Sequence, residues 1–180
     1  MKSGLKLPTF IPGGGQESGY RSGTENTHGI AGLGLATELA YDNLTEKQER
    51  LATLNNRLRE GIISELDDII VNGTTEMGFE TSDYGKRCPS VLNISFLGSR
   101  GEVILHTLEQ EEIYVSTGSA CSSHKNSDSH VLAAMGLGHK EIEGAIRFSI
   151  SEFNTLEEMD EAAAKVSEAV KRFRRLGSFR

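Results

Sequence analysis

Cysteine is scarce in this chain: Cys88 and Cys121 are the only two among 180 residues. Two thiols over that length do not make a disulfide framework, and such usage fits a reducing compartment. Long apolar runs are missing as well; none approaches the roughly 18 residues at which a membrane-spanning helix is read. The opening Met1-Lys2-Ser3-Gly4-Leu5-Lys6 lacks the apolar stretch of a signal peptide. A cytoplasmic protein with no membrane contact is the expectation. Basic charge is short too, with 19 Lys and Arg against 26 Asp and Glu and a formal charge of −7. That balance opposes direct nucleic-acid binding and general attraction to anionic lipid. No internal repeat is visible.

What is present reads as one compact domain with an appendage. Residues 1–27 are rich in punctuation (Pro8, Pro12, Gly13-Gly14-Gly15, Gly19, Gly23), a composition expected to dock on something else. Apolar positions then step as Ile30, Leu33, Thr37, Ala40, Leu44, Leu51, Leu54, Leu58 and Ile62, which is helical spacing. Asn43, or Thr45 with Gln48 three residues on, could cap a second helix, so residues 28–62 hold one long helix or a pair. From 63 to 180 helices and strands alternate in a small α+β domain. Ile69-Ile70-Val71, Val91–Phe96, Glu112–Val115 and the alternating Ala145–Ile150 read as strands. Ser99-x-x-Glu102 signals a helix to about Gln110, and Asp128 or Ser129 can cap one ending at Gly136. Thr155-x-x-Glu158 opens a last helix with a buried stripe of Leu156, Met159, Ala163, Val166, Val170 and Phe173. Its closing cations, Lys171, Arg172, Arg174 and Arg175, either complement the helix dipole or form a docking patch for an acidic partner.

Cys121 stands in Gly118-Ser119-Ala120-Cys121-Ser122-Ser123-His124, among the smallest residues of the chain. A cysteine used for packing sits in an apolar run; one displayed among small residues suits a nucleophile that must travel. Cys88, before Pro89 at the mouth of a strand, is read as incidental. Cys121-x-x-His124 with His130 has a spacing that zinc could use, but no second cysteine pair accompanies it, so no metal is expected. Gly13–Thr24 is a plain turn or a phosphate site: glycines let backbone amides approach an anion, and a Thr hydroxyl and an Arg add donors. It lacks the Lys-Ser/Thr ending of a nucleoside-triphosphate loop. Gly32-Leu33-Gly34 has no strand before it and is no dinucleotide fingerprint. Arg147 alternates with Ile146 and Phe148, which places its guanidinium on a defined face, either paired with a nearby acid or free to clamp a carboxylate.

Four blocks together carry a resemblance. They are Gly-Gly-Gly-Gln-Glu-x-Gly-x-Arg-Ser-Gly-Thr-Glu-Asn (13–26), Ser-Thr-Gly-Ser-Ala-Cys-Ser-Ser (116–123), Ser-His-Val-Leu-x-Ala-Met-Gly-Leu (129–137) and Ile-Arg-Phe-Ser (146–149). In order and spacing the chain resembles the pyridoxal-phosphate-dependent cysteine desulfurases of the class V aminotransferase group. The resemblance implies the small C-terminal domain of a fold-type I transferase, with a mainly antiparallel sheet, flanking helices and a long helix before them. It implies that L-cysteine is converted to L-alanine while a thiolate at the position of Cys121 takes the sulfur as a persulfide. It also implies that Arg147 holds the substrate carboxylate and that Thr24 contacts the cofactor phosphate of a neighbouring subunit in a homodimer. The sulfur would pass to an acceptor or an iron–sulfur scaffold protein, for cluster assembly or tRNA thiolation.

In that family the cofactor is anchored by a lysine of the large domain, upstream of the glycine loop, where this sequence has twelve residues. Lys2 and Lys6 lack that context, and Lys125 adjoins the thiol. The expectation is therefore a C-terminal portion, residues 1–27 belonging against the missing large domain, and inactive alone. A non-catalytic interaction or sulfur-carrier module is the alternative.

Overall fold

The structure, a computed structural model, describes residues 8–73, 87–117 and 128–177. The chain divides into two units, Met1–Leu44 and Thr45–Arg180. In the first, Ile11 and Arg21 form a bridge, tied by Phe10 N–H to Tyr20 O at 2.9 Å and Ser22 N–H to Ile11 O at 3.0 Å. Glu17 and Ser18 turn the intervening loop with left-handed backbone. Helix α1, Thr27–Tyr41, follows; Asn26 caps it by accepting the Gly29 N–H on Oδ1 at 3.0 Å.

Helix α2, Leu44–Glu65, is separate from α1, which decides between the two arrangements open in the sequence. Asp42 is extended and Asn43 is left-handed (φ 53°), a conformation Asn tolerates better than most residues. Thr45 lies inside the first turn of α2 and is not its cap.

The second unit is built on a four-stranded sheet of order β1-β2-β4-β3: β1 Ile69–Val71, β2 Val91–Phe96, β3 Ser116–Thr117 and β4 Ala145–Ser149. Every pairing is antiparallel. Period-two alternation in β2 and β4 sends Leu92, Ile94, Ile146 and Phe148 into the core. There they meet Leu54, Leu58 and Ile62 of α2 and Val166 and Val170 of α6, Leu156–Gly177. Ile104 and Leu108 of α3, Gly101–Glu109, complete the cluster. Full burial of each such side chain contributes about 1.5–3 kcal/mol. Asn55, buried on α2, donates to Pro89 O at 2.9 Å and Val91 O at 3.2 Å and so fixes the start of β2 against the helix. Two short helices, α4 His130–Ala134 and α5 His139–Glu143, precede β4. Among the described residues no helix is long and apolar enough to cross a membrane.

Two local expectations are corrected. The strand read at 112–115 lies further on, at Ser116–Thr117. Glu112 is left-handed (φ 59°) and Ile113 N–H returns to Leu108 O at 3.0 Å, so this stretch closes the end of α3 before extended pairing begins. Ser99 does not cap α3. Its N–H closes a turn on Phe96 O at 3.1 Å, which leaves Arg100 at the N-cap position and the Ser99 hydroxyl buried with no partner among the described residues.

The last helix opens as read: Glu158 N–H donates to Thr155 Oγ1 at 3.2 Å, and Thr155 N–H donates to Glu158 Oε2 at 3.0 Å. Hydrogen bonds from the Asn154 amide and the Thr155 N–H hold the Glu158 carboxyl below its ordinary pKa. Near the other end, Arg174 gathers three carbonyls: Leu97 O at 3.1 Å, Asp67 O at 2.8 Å and Asp68 O at 2.9 Å. Lys171 pairs with Glu65 at 2.7 Å. At least these two cations serve the domain itself. Arg174→Ala should therefore lower stability by about 1–2 kcal/mol. Arg174→Lys should recover little, because one ammonium lacks the planar fork. Thermal melts of both variants check this; an unchanged midpoint for the alanine variant would show the clamp to be idle.

Candidate active-site residues on the sheet and the glycine loop

Arg147 occupies the middle of β4, opposite Asn93 of β2 on one side and Ser116 of β3 on the other. Its neighbours Ile146 and Phe148 are buried, and Arg147 is exposed on the other face, as alternation requires. Among the described residues it has no acidic partner. Polar residues share its face. Ser149 lies two residues on, and Ser116 and Asn93 flank it across the ladder.

One part of this face was missed from sequence. Asn72, directly after β1, is buried and donates from Nδ2 to Asn93 Oδ1 at 2.6 Å and to Ser95 Oγ at 2.8 Å. Its backbone N–H also reaches Asn93 O at 2.9 Å. The available signal was the polar alternation of Asn93 and Ser95 inside an otherwise apolar strand, together with an Asn just before a left-handed Gly73.

Cys121 lies outside the described residues, as do His124, Lys125 and the rest of 118–127. The described residues on either side are anchored. Thr117 pairs with Ile146, and Asp128 Oδ1 bonds His139 Nδ1 at 2.8 Å. Ser129, rather than Asp128, caps α4 by accepting from Leu132 N–H at 3.4 Å. Cys88 is exposed, with its sulfur 3.0 Å from Ser90 Oγ. Among the described residues no group of three His, Cys, Asp or Glu is placed to hold a metal. Where 113–115 diverge from β4, a cleft of about 360 Å³ opens over Leu58, Phe148 and Met159, rimmed by Glu112, Glu158 and Glu161.

In the first unit, Thr24 is exposed between the bridge and α1. The loop folds on itself around it: Ser22 Oγ donates to Gly14 O at 2.8 Å, and Arg21 Nη1 donates to Thr24 O at 2.9 Å. Those bonds use the Ser22 hydroxyl and the Thr24 carbonyl, and they leave the Thr24 hydroxyl without a partner among the described residues. The neighbouring Gly23 N–H is turned to Gln16 Oε1 at 3.5 Å, so the Thr24 hydroxyl is the donor here that fits the phosphate end of pyridoxal phosphate.

Comparison with known proteins agrees over nearly the whole chain. It is 40% identical over 176 residues to a cysteine desulfurase IscS of Clostridium botulinum, covering 98% of this chain and 43% of that protein. A solved NifS-like protein superposes with a TM-score of 0.74 at 32% identity, over 96% of this chain and 41% of the other. A NifS-like protein from Rickettsia africae gives 0.68 at 28% identity, over 95% of this chain and 41% of its own. The chain thus spans less than half the length of the relatives it matches. Both structural likenesses place its four-stranded antiparallel sheet and flanking helices in a portion of a fold-type I enzyme. Residues 13–161, which take in the Gly13–Thr24 loop, α1 to α5 and the four strands of the sheet, match the family Aminotransferase class-V, and the chain belongs to that family.

Proposed function

We propose that this chain is the carboxyl-terminal part of a cysteine desulfurase, a protein that converts L-cysteine to L-alanine and carries the sulfur away as a persulfide. The observation that supports this most is Arg147: a guanidinium set by strand geometry on an open polar face, without an acid to neutralise it among the described residues. A planar fork of N–H donors in that position suits the carboxylate of an amino acid. Enzymes of the class-V family work with pyridoxal phosphate, which supplies the electron sink that weakens the bond between Cβ and sulfur in bound cysteine.

The resemblance to the cysteine desulfurases gives this chain's residues their roles, and their chemistry suits them. Arg147 holds the substrate by its carboxylate. Cys121, as a thiolate, attacks the substrate sulfur; an S–S bond forms on the protein and the C–S bond breaks. The bonding pair stays with the carbon fragment, which takes up a proton and leaves as alanine. The Thr24 hydroxyl holds the cofactor phosphate across a homodimer interface, and a lysine outside this sequence anchors the cofactor. The persulfide then passes to an acceptor thiol, such as that of an iron–sulfur scaffold or of a protein serving tRNA thiolation.

Alanine release from L-cysteine with added pyridoxal phosphate tests this. The chain alone should make none, whereas the chain joined behind the upstream part of the Clostridium botulinum relative should turn over. Steady turnover by the chain alone would refute its dependence on another segment. A correctly folded fusion that binds the cofactor yet forms no alanine would refute the desulfurase reading.

A further inference from the structure

We propose that Asn93 is the second half of the carboxylate site, donating beside Arg147, with its amide held in register by buried Asn72. The inference rests on the reading of Arg147 as the carboxylate clamp and adds to it residues that alternation alone does not assign. Asn93 and Arg147 are direct cross-strand partners. Opposed residues of an antiparallel pair bring their Cβ atoms within about 4.5–5.5 Å on the same face. Both face away from the core, since Leu92, Ile94, Ile146 and Phe148 are buried on the other side.

The Asn93 amide has one end occupied: Oδ1 accepts from Asn72 Nδ2 at 2.6 Å. Its Nδ2, with two N–H donors, is then the end left for a ligand. The orientation of Asn72 follows from its own partners. Nδ2 faces two acceptors, Asn93 Oδ1 and the fully buried Ser95 Oγ, and leaves Oδ1 buried without a partner among the described residues. The reverse orientation would bury two unsatisfied N–H donors. Under-satisfied carbonyl oxygens are less rare in folded proteins than orphaned N–H groups, so the first orientation is favoured. Asn72 is pinned in turn by its backbone bond to Asn93 O at 2.9 Å.

A carboxylate offers about four lone-pair sites. The Arg147 fork takes two of them, and a fixed amide beside it takes a third. Discrimination follows: a thiol lacking a carboxylate leaves both donors unanswered and binds poorly, so the site selects amino acids over simple thiols.

The test uses the ¹⁵N-labelled chain titrated with L-alanine, which carries the same carboxylate without a thiol. The Arg147 Nε–H and Asn93 Nδ2–H₂ signals should move together along one binding curve. Asn93→Asp keeps the oxygen that Asn72 donates to and replaces the free donor by a charged oxygen. Its affinity should fall about tenfold or more. Asn72→Ala, with Asn93 and Arg147 intact, should weaken binding several-fold by releasing the amide. Should the Arg147 signal move while Asn93 stays silent and Asn93→Asp binds like the parent, the Asn93 assignment is overturned and the arginine reading stands. Should neither signal move, or should Arg147→Ala bind as well as the parent, both fall. The side-chain signals of the unaltered chain decide the matter even if a variant does not fold.

Discussion

Cys121→Ser, introduced into the fusion with the upstream part of the Clostridium botulinum relative, is expected under the proposed function to cut alanine formation from L-cysteine on the order of 10³-fold or more. Only a thiolate is both nucleophilic near neutral pH and able to accept sulfur as an S–S bond. A serine hydroxyl stays protonated there and forms no persulfide. The other thiol offers no substitute: Cys88 lies at the entrance to β2, its sulfur against Ser90 Oγ and its carbonyl accepting the Val91 N–H at 3.3 Å. Cys88→Ser should leave turnover within about twofold of the parent, as surface changes usually do. Mass spectrometry after one round with L-cysteine should find the extra sulfur on Cys121 and not on Cys88. Alanine release at the parent rate from Cys121→Ser would show that another group takes the sulfur.

Gly144→Ala is expected to have the largest effect on folding. Gly144 is buried where α5 runs into β4, in a conformation (φ −87°, ψ 1°) that alanine could adopt. Space, not backbone freedom, forbids it. A Cβ there would lie 2.5 Å from Phe96 O and 3.1 Å from both Phe96 C and Ser99 O. All three are backbone atoms, and the Phe96 N–H already donates to Gly144 O at 3.0 Å, so neither strand can give without breaking that bond. Overpacking of this kind costs about 3 kcal/mol, close to the upper end of such changes. For a domain of this size the melting midpoint should drop by roughly 10 °C. Gly32→Ala supplies the contrast, since nothing lies within 4 Å of its added Cβ in α1. That change should stabilise the helix by about 0.5–1 kcal/mol. Equal melting curves for the two variants would mean that the contact at Gly144 relaxes freely.

What could be read in advance was whatever obeys local rules. The side on which Arg147 stands follows from the period of two in β4, and the start of the last helix from the Thr155–Glu158 pair; both need only a few consecutive residues. Residues 112–115 misled because their composition favours a strand while a left-handed Glu112 spends them on closing α3. Ser99 misled for a similar reason: its turn with Phe96 shifts the helix start by one residue. For the Asn72–Asn93–Ser95 network the sequence offers polar positions inside β2 but not their partners. The network joins residues more than twenty positions apart, and only the β1–β2 register brings them together. Thr24 shows the same limit from the other direction. Its surroundings allow a turn or an anion site, because an exposed hydroxyl in a glycine loop carries little local constraint.

The strand order β1-β2-β4-β3 also governs how the polypeptide is made. β4 is the last strand to be synthesised, yet it sits between β2 and β3, so until the ribosome passes Ser149 each of those has an edge with nothing to bond. Loop closure from Val91 to Ser149 must come first, and such distant pairings form slowly. Nascent molecules therefore pass through a stage with bare strand edges, and demand for chaperones should be greatest there.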